Sequence, residues 1–406
     1  MPAAMQDASQ AMGTSNFNPL SIFSQALARV HSYICTGYSS VHYSTVTVFD
    51  EKSTTNRYYL LDLLRFLACL MVVFWHYVHF FYVGPGVLPL GWEPSSQPLF
   101  PIFFLGYKFG HLGVQMFWAL SGFVFFALFS GKIHRGELSA RNFAVDRFSR
   151  LYPLHLFSLL LVLLLTGVLR HLTGNEGIYP CNDLYHFILN VFFVPYVLPN
   201  SGWSFNAPVW SVSLELIAYV FFFMFARFLK PTLFKVGCIV LICAWLQPWP
   251  SDLPCGGKIN GCLFFFFSGG AVFLLLRTCS QYFEVRFVYV LLVAVFIAVG
   301  IWKQRSSVWI MSFLLLFSFP FHVPGRLETI CSHLGNLTYA IYMLHVPIQL
   351  GLMIVVRGIG TTTMADMARL PCFLGFYLFL LGGVSFGVYR CFELPTKKQL
   401  RARLSR

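Results

Sequence analysis

The sequence predicts an all-α, polytopic membrane protein of about ten transmembrane helices, with both termini in the cytoplasm. Three observations carry that expectation. Of 406 residues, 57% are hydrophobic and only 11% charged. A soluble chain of this size cannot hide so much apolar surface, so lipid must cover much of it. Apolar runs recur at 59–83, 111–131, 151–170, 210–229, 236–247, 261–279, 286–302, 307–321, 337–357 and 370–391, several of them shorter than the ~20 residues of a perpendicular span. Basic residues cluster between these runs: Lys132, Arg135, Arg141, Arg147 and Arg150 after the second, and Arg227, Lys230 and Lys235 after the fourth. Six more basic residues stand against one acid in the 390–406 tail. All three clusters belong in the cytoplasm by the positive-inside rule, and ten crossings satisfy them together.

The elements follow in order. Residues 1–56 are polar and Ser-rich, and read as a mobile cytoplasmic tail. The stretch 57–395 forms the transmembrane domain, and 396–406 a basic cytoplasmic tail. No charged segment followed by a short apolar one and a small-residue cleavage site opens the chain, so no cleaved signal is expected. An eleventh apolar stretch, LYHFILNVFFVPYVL at 184–198, is broken by Pro195. Counting it as a crossing breaks the parity, so it reads as a re-entrant or interfacial segment lining a cavity, where broken backbone is tolerated. No internal repeat and no inverted pair of broken helices is visible.

The net charge of +13 is accounted for by topology. No basic, aromatic-interleaved module is present, and no nucleic-acid partner is expected. Most of the eleven cysteines lie in apolar runs, where they act as small hydrophobes. Cys255 and Cys262, in CGGKINGC, are near enough in sequence to pair if their loop is extracytoplasmic. No Cys/His spacing suits zinc, and no metal is expected.

Four charged or ionisable stretches stand out against this apolar background. LLDLLRFLACLMVVFWHYVHFF carries Asp62, Arg65, His76 and His79. Arg65 and His76 are eleven residues apart, three turns plus about 20°, hence on one helix face and ~16 Å apart along the axis. Asp62 stands at i,i+3 from Arg65, a pairing distance. Arg65 reads either as a headgroup snorkel or as a ligand group; His76, an intramembrane ionisable residue, reads as functional by default. In RFSRLYP, Arg147 and Arg150 present two guanidinium forks to one anion, or else anchor the helix on its positive side. Glu215 sits about a turn inside the helix opened by Trp210 and Ser211, where a carboxyl either orients a histidine or pairs structurally. Trp210 there reads more simply as an interface anchor. His345 precedes Pro347 and either serves the site or satisfies a carbonyl freed by the proline.

These residues, taken in order, resemble the acyltransferase-3 family of integral membrane proteins, over about 58–395. The family's basic residue, ten residues, then His is matched by Arg65 and His76. Its small-residue second helix resembles GVQMFWALSGFVFF at 113–126, and its Arg-x-x-Arg before Tyr-Pro is matched by Arg147, Arg150, Tyr152 and Pro153. Its Trp-Ser-x-x-x-Glu is matched by Trp210, Ser211 and Glu215, and its late Gly, Tyr, Tyr, His by Gly335, Tyr339, Tyr342 and His345. The resemblance implies transfer of an acyl group, acetyl by default, from cytoplasmic acyl-CoA to a surface or lipid-linked carbohydrate in the plasma (inner) membrane. It implies acyl-CoA as donor substrate with no bound cofactor. His76 and Glu215 would be catalytic and would act together; Arg65, Arg147 and Arg150 would hold the donor; Asp62, Trp210, Ser211 and His345 would support them. The chain departs from the family in its first 56 residues and shows no fused esterase-like domain, so it is expected to act alone or with a separate protein partner. The alternative is a transporter or acyl-relay channel that does not complete the transfer.

Overall fold

The computed structural model describes residues 59–174, 177–198, 200–246, 256–282, 310, 314, 325–359 and 363–404. Among them every regular element is a helix, with a single isolated β-bridge between Gly84 and Val87. In chain order the helices are α1 (Tyr59–His76), α2 (Phe100–Phe109), α3 (Leu112–Leu128), α4 (Ser130–His134), α5 (Ala140–Thr173), α6 (Leu184–Val191) and α7 (Val209–Phe228). There follow α8 (Leu233–Leu246), α9 (Gly256–Tyr282), α10 (Gly325–Ile359), α11 (Met364–Ala368), α12 (Pro371–Val388) and α13 (Leu394–Leu404). A 3₁₀ turn over Tyr77–Phe81 continues α1, and a π turn over Tyr389–Glu393 joins α12 to α13.

Six of these helical segments are long and apolar enough to cross a membrane, or seven if α2 and α3, bent by 64°, form one broken span. The protein is therefore an integral, multi-pass membrane protein. Eight of the ten expected runs coincide with helices, α8 being short at 14 residues. The expected spans 286–302 and 307–321 lie outside the described residues apart from Ile310 and Leu314. So does Cys255, and with it the expected Cys255–Cys262 pair.

The 184–198 stretch contains only the eight-residue α6, ~12 Å long at 1.5 Å per residue and too short to cross. Asp183 starts it, its carboxylate accepting the backbone N–H of His186 at 2.9 Å and the imidazole at 2.8 Å. That contact and the cap hold the exposed Asp183 carboxyl below its ordinary range. Beyond α6 the backbone leaves helical geometry, with Phe193 at φ 63° and Asn200 at φ 57°.

Close helix approach uses small residues, as lipid-embedded bundles require. Gly122 on α3 and Gly269 on α9 each lie against the other helix's backbone, at Phe266 and Ala119 respectively. Gly335 on α10 lies against the Asp62 side chain of α1. A methyl group at Gly122 would strike the Phe266 carbonyl, which cannot swing aside. Gly122→Ala is expected to cost about 1–3 kcal/mol by overpacking, read as a lower unfolding midpoint in detergent.

The three basic segments meet at one end of the bundle. His134 Nδ1 donates to the Ala226 carbonyl at 3.3 Å, Arg227 lies against Gly136, and Arg401 pairs with Asp146 at 3.5 Å. That is the shared face the charge pattern calls for.

Candidate functional site

An internal cavity of about 110 Å³ opens among α1, α3, α5, α7 and α10. Its walls bring together Arg65, Arg147, Arg150, Ser211 and Glu215, residues scattered over 150 positions of sequence and supplied by three helices. Three guanidinium groups face one carboxylate there, all of them half-buried.

The three arginines differ in what they already hold. Arg65 Nη1 pairs with Asp62 at 3.0 Å, one turn away on α1. Arg147 is bound to its neighbour Asp146, and its guanidinium lies over Phe125 and Phe129 at 5.2 and 5.3 Å. No carboxylate among the described residues stands within ion-pair distance of Arg150. Its charge acts on two carboxyls beyond ion-pair distance, Glu215 and Glu393, as well as on Arg65 and Tyr339. Arg150 is thus the fork left open for an anion.

Glu215 accepts a hydrogen bond from Tyr219 at 2.5 Å, one turn further along α7, and Ser121 on α3 lines the same cavity. Tyr219 stacks on Phe125 at 4.3 Å. Tyr219 and Ser121 were not singled out in the sequence; the i,i+4 spacing from Glu215 to Tyr219 is the signal that could have found Tyr219.

His76 lies elsewhere. It is not part of the arginine cavity's wall; its ring stands 5.0 Å from both His79 and His345, centroid to centroid. The expected His76–Glu215 contact is absent from the hydrogen bonds made by the described residues. Glu215 works with Tyr219 and the arginines, whereas His76 belongs to a histidine cluster about three turns along α1 from Arg65.

Hydrogen bonding assigns the tautomers in that cluster, because a carbonyl oxygen only accepts. His76 Nδ1 lies 3.0 Å from the Val72 carbonyl, so Nδ1 carries the proton and Nε2 offers a lone pair. His345 Nδ1 likewise donates to the Tyr342 carbonyl at 2.6 Å, and its Nε2 is buried without a partner among the described residues. Gln349 donates from Nε2 to the His76 carbonyl at 2.9 Å, so its Oε1 accepts from His79 Nδ1 at 2.8 Å. His79 Nε2 must then accept, and Tyr179 Oη donates to it at 3.2 Å. Among the described residues, no group of three or more His, Cys, Asp or Glu is placed to hold a metal ion.

Gln349 is fully buried. Gln349→Leu keeps its bulk and removes both bonds, and is expected to destabilise the protein by about 1–3 kcal/mol for each partner stranded, measured by thermal unfolding.

The proline on α10 does not recruit His345. Pro347 lacks an N–H and so frees the carbonyl of Met343, four residues back, and Asn206 donates to that carbonyl at 2.9 Å. Asn206 also reaches Ser158 at 3.1 Å, tying α5 and α10 to the segment that leads into α7. Ser211 Oγ and Tyr342 Oη lie 2.7 Å apart, and Tyr339 donates to the Leu151 carbonyl at 2.6 Å. Trp210 stands edge-on to Trp118 at 5.8 Å, so it packs on the cavity wall rather than serving only as an interface anchor.

Buried charge gathered inside lipid-length helices defines a multi-pass membrane protein with an internal basic cavity. The model of the acyltransferase-3 family, described as an acyltransferase domain, matches residues 58–390, and the chain belongs to that family: it is a membrane acyltransferase. It is 28% identical over 177 residues to "Protein 2 in picA locus" of Rhizobium radiobacter, an alignment covering 41% of this chain and 81% of that protein. No solved structure matches the chain.

Proposed function

We propose that this acyltransferase takes an acyl group, acetyl by default, from cytoplasmic acyl-CoA and delivers it to a hydroxyl of a cell-surface or lipid-linked carbohydrate, within the plasma (inner) membrane. Arg150 carries the proposal: a guanidinium with no carboxylate within ion-pair distance among the described residues, in a cavity walled by two further arginines, suits a phosphate. The cavity adjoins the end of the bundle where the basic loops meet, the cytoplasmic end by the positive-inside rule. A CoA phosphate on Arg150, with Arg65 and Arg147 beside it, directs the thioester inward. The extended arm between CoA's phosphates and its sulfur suits the ~16 Å of helix between Arg65 and His76.

At the inner end, His76 Nε2 takes the proton of the acceptor hydroxyl as that oxygen attacks the thioester carbonyl. The C–S bond breaks, and the leaving thiolate recovers the proton from the imidazolium. Ten spans with both termini inside complete the reading; the chain completes the transfer alone, the alternative being a separate protein partner that takes the acyl group onward.

The test uses full-length protein in nanodiscs with radiolabelled acetyl-CoA and a mixed glycan extract. CoA release with label on glycan is the expected result. In proteoliposomes of the same protein, label crossing the membrane without CoA release would replace the enzyme by a transporter.

A further inference from the structure

A box of aromatic rings at the other end of the bundle has no part in the scheme above. Tyr196 comes from the irregular backbone after α6, Trp203 from the loop before α7, and Trp210 from the first turn of α7. Their ring centroids are separated by 4.8 Å (Tyr196–Trp203), 6.0 Å (Trp203–Trp210) and 6.3 Å (Tyr196–Trp210). Into this box Lys258, on the first turn of α9, places its ammonium 3.6, 4.7 and 5.1 Å from the centroids of Tyr196, Trp203 and Trp210. Trp203 is 39% exposed, so the box opens outward.

Its position follows from α7. Sixteen residues separate Trp210 from Ala226, which touches the basic end; that is ~24 Å of helix, most of a ~30 Å hydrocarbon core. On its inner side Trp210 packs against Trp118, a wall residue of the arginine cavity. The box and the cavity therefore share a partition.

Aromatic residues that merely anchor a helix reach individually toward the headgroups. Here three rings from separated segments converge on one cation. The negative faces of such rings attract an ammonium, and equally the weakly positive C–H face of a sugar. The lysine keeps N–H donors free for an anion, since rings engage its charge without accepting its hydrogen bonds as an oxygen would.

We propose that Tyr196, Trp203, Trp210 and Lys258 form an acceptor subsite for an acidic carbohydrate, the rings against a sugar face and the ammonium on its carboxylate or phosphate. The inference rests on the acyl-transfer reading and adds the acceptor's charge and its place of entry, opposite the donor.

The experiment is isothermal titration of the full-length protein in nanodiscs with trigalacturonate and with uncharged galactotriose. Trigalacturonate should bind at least about tenfold tighter, the scale of one charge-assisted contact. Lys258→Met should erase that preference. Trp203→Ala should weaken binding of the acidic trisaccharide about tenfold or more, and Trp203→Phe, which keeps a ring, should recover most of it. Equal binding of the two sugars, or unchanged binding by Trp203→Ala, would overturn the subsite. CoA release assayed on the same preparation separates the two levels. A protein that consumes acyl-CoA but ignores trigalacturonate sinks the subsite alone, and one that never consumes acyl-CoA sinks the reading beneath it.

Discussion

His76→Ala is expected to abolish acyl transfer, by about 10²–10⁴-fold or more, the usual worth of a positioned acid–base group. The effect should fall on turnover and spare donor affinity, because His76 lies about three turns from the arginines that hold the phosphates. Insertion should survive as well, since removing an ionisable group from a membrane helix lowers its cost of burial. The reason to single out His76 over its neighbours is its hydrogen-bond pattern together with its exposure: His345 shows the same Nδ1 bond but is fully buried, whereas His76 is only half-buried. Its Nδ1–H is held by the Val72 carbonyl at 3.0 Å and its own backbone by Gln349 at 2.9 Å, which leaves Nε2 as the reactive atom. His79 has both ring nitrogens engaged, by Gln349 and Tyr179, and His79→Ala should act more mildly, through the placement of His76. CoA release by the purified variant settles the matter: activity above about a tenth of wild type removes His76 from the chemistry.

Arg150→Ala is expected to weaken acyl-CoA binding by about 1.5–3 kcal/mol, roughly ten- to a hundredfold in Kd. The loss should exceed that of Arg147→Ala, whose guanidinium is already committed to Asp146 and to the faces of Phe125 and Phe129. It should also narrow at high salt, where the approach of an anionic donor is screened. Titration of both variants with acetyl-CoA at low and high salt tests this. Equal, normal binding by the two would reduce the pair to topological anchors. Glu215, placed among the arginines rather than beside His76, should behave in the same assay as part of the donor cavity, with Glu215→Gln altering affinity.

Much of this was legible before any fold. Composition alone requires lipid around the chain, and the spacing of Arg65 and His76 puts them on one face of α1, because 100° per residue is local geometry that neighbours do not alter. The parity that demotes 184–198 from a crossing is likewise a count over charges, and α6 indeed ends after eight residues. The five motifs, in order, sufficed for the family.

Partnership was another matter. Sequence spacing specifies which residues share a helix face, but contacts between helices depend on how closely their backbones approach, and that is decided by packing. Glycines such as Gly122 and Gly335 let α3, α9, α1 and α10 come together, and the resulting register turns Glu215 toward Tyr219 and the arginines. The same packing turns His76 toward His345. Two ionisable groups in apolar helices each need a partner, and the sequence alone suggests they are one another's. Only the tertiary structure shows that each found its own. Asp62 and Asp146, sequence neighbours of Arg65 and Arg147, pair with those two; what the tertiary structure adds is that it brings no carboxylate of the described residues within ion-pair distance of Arg150.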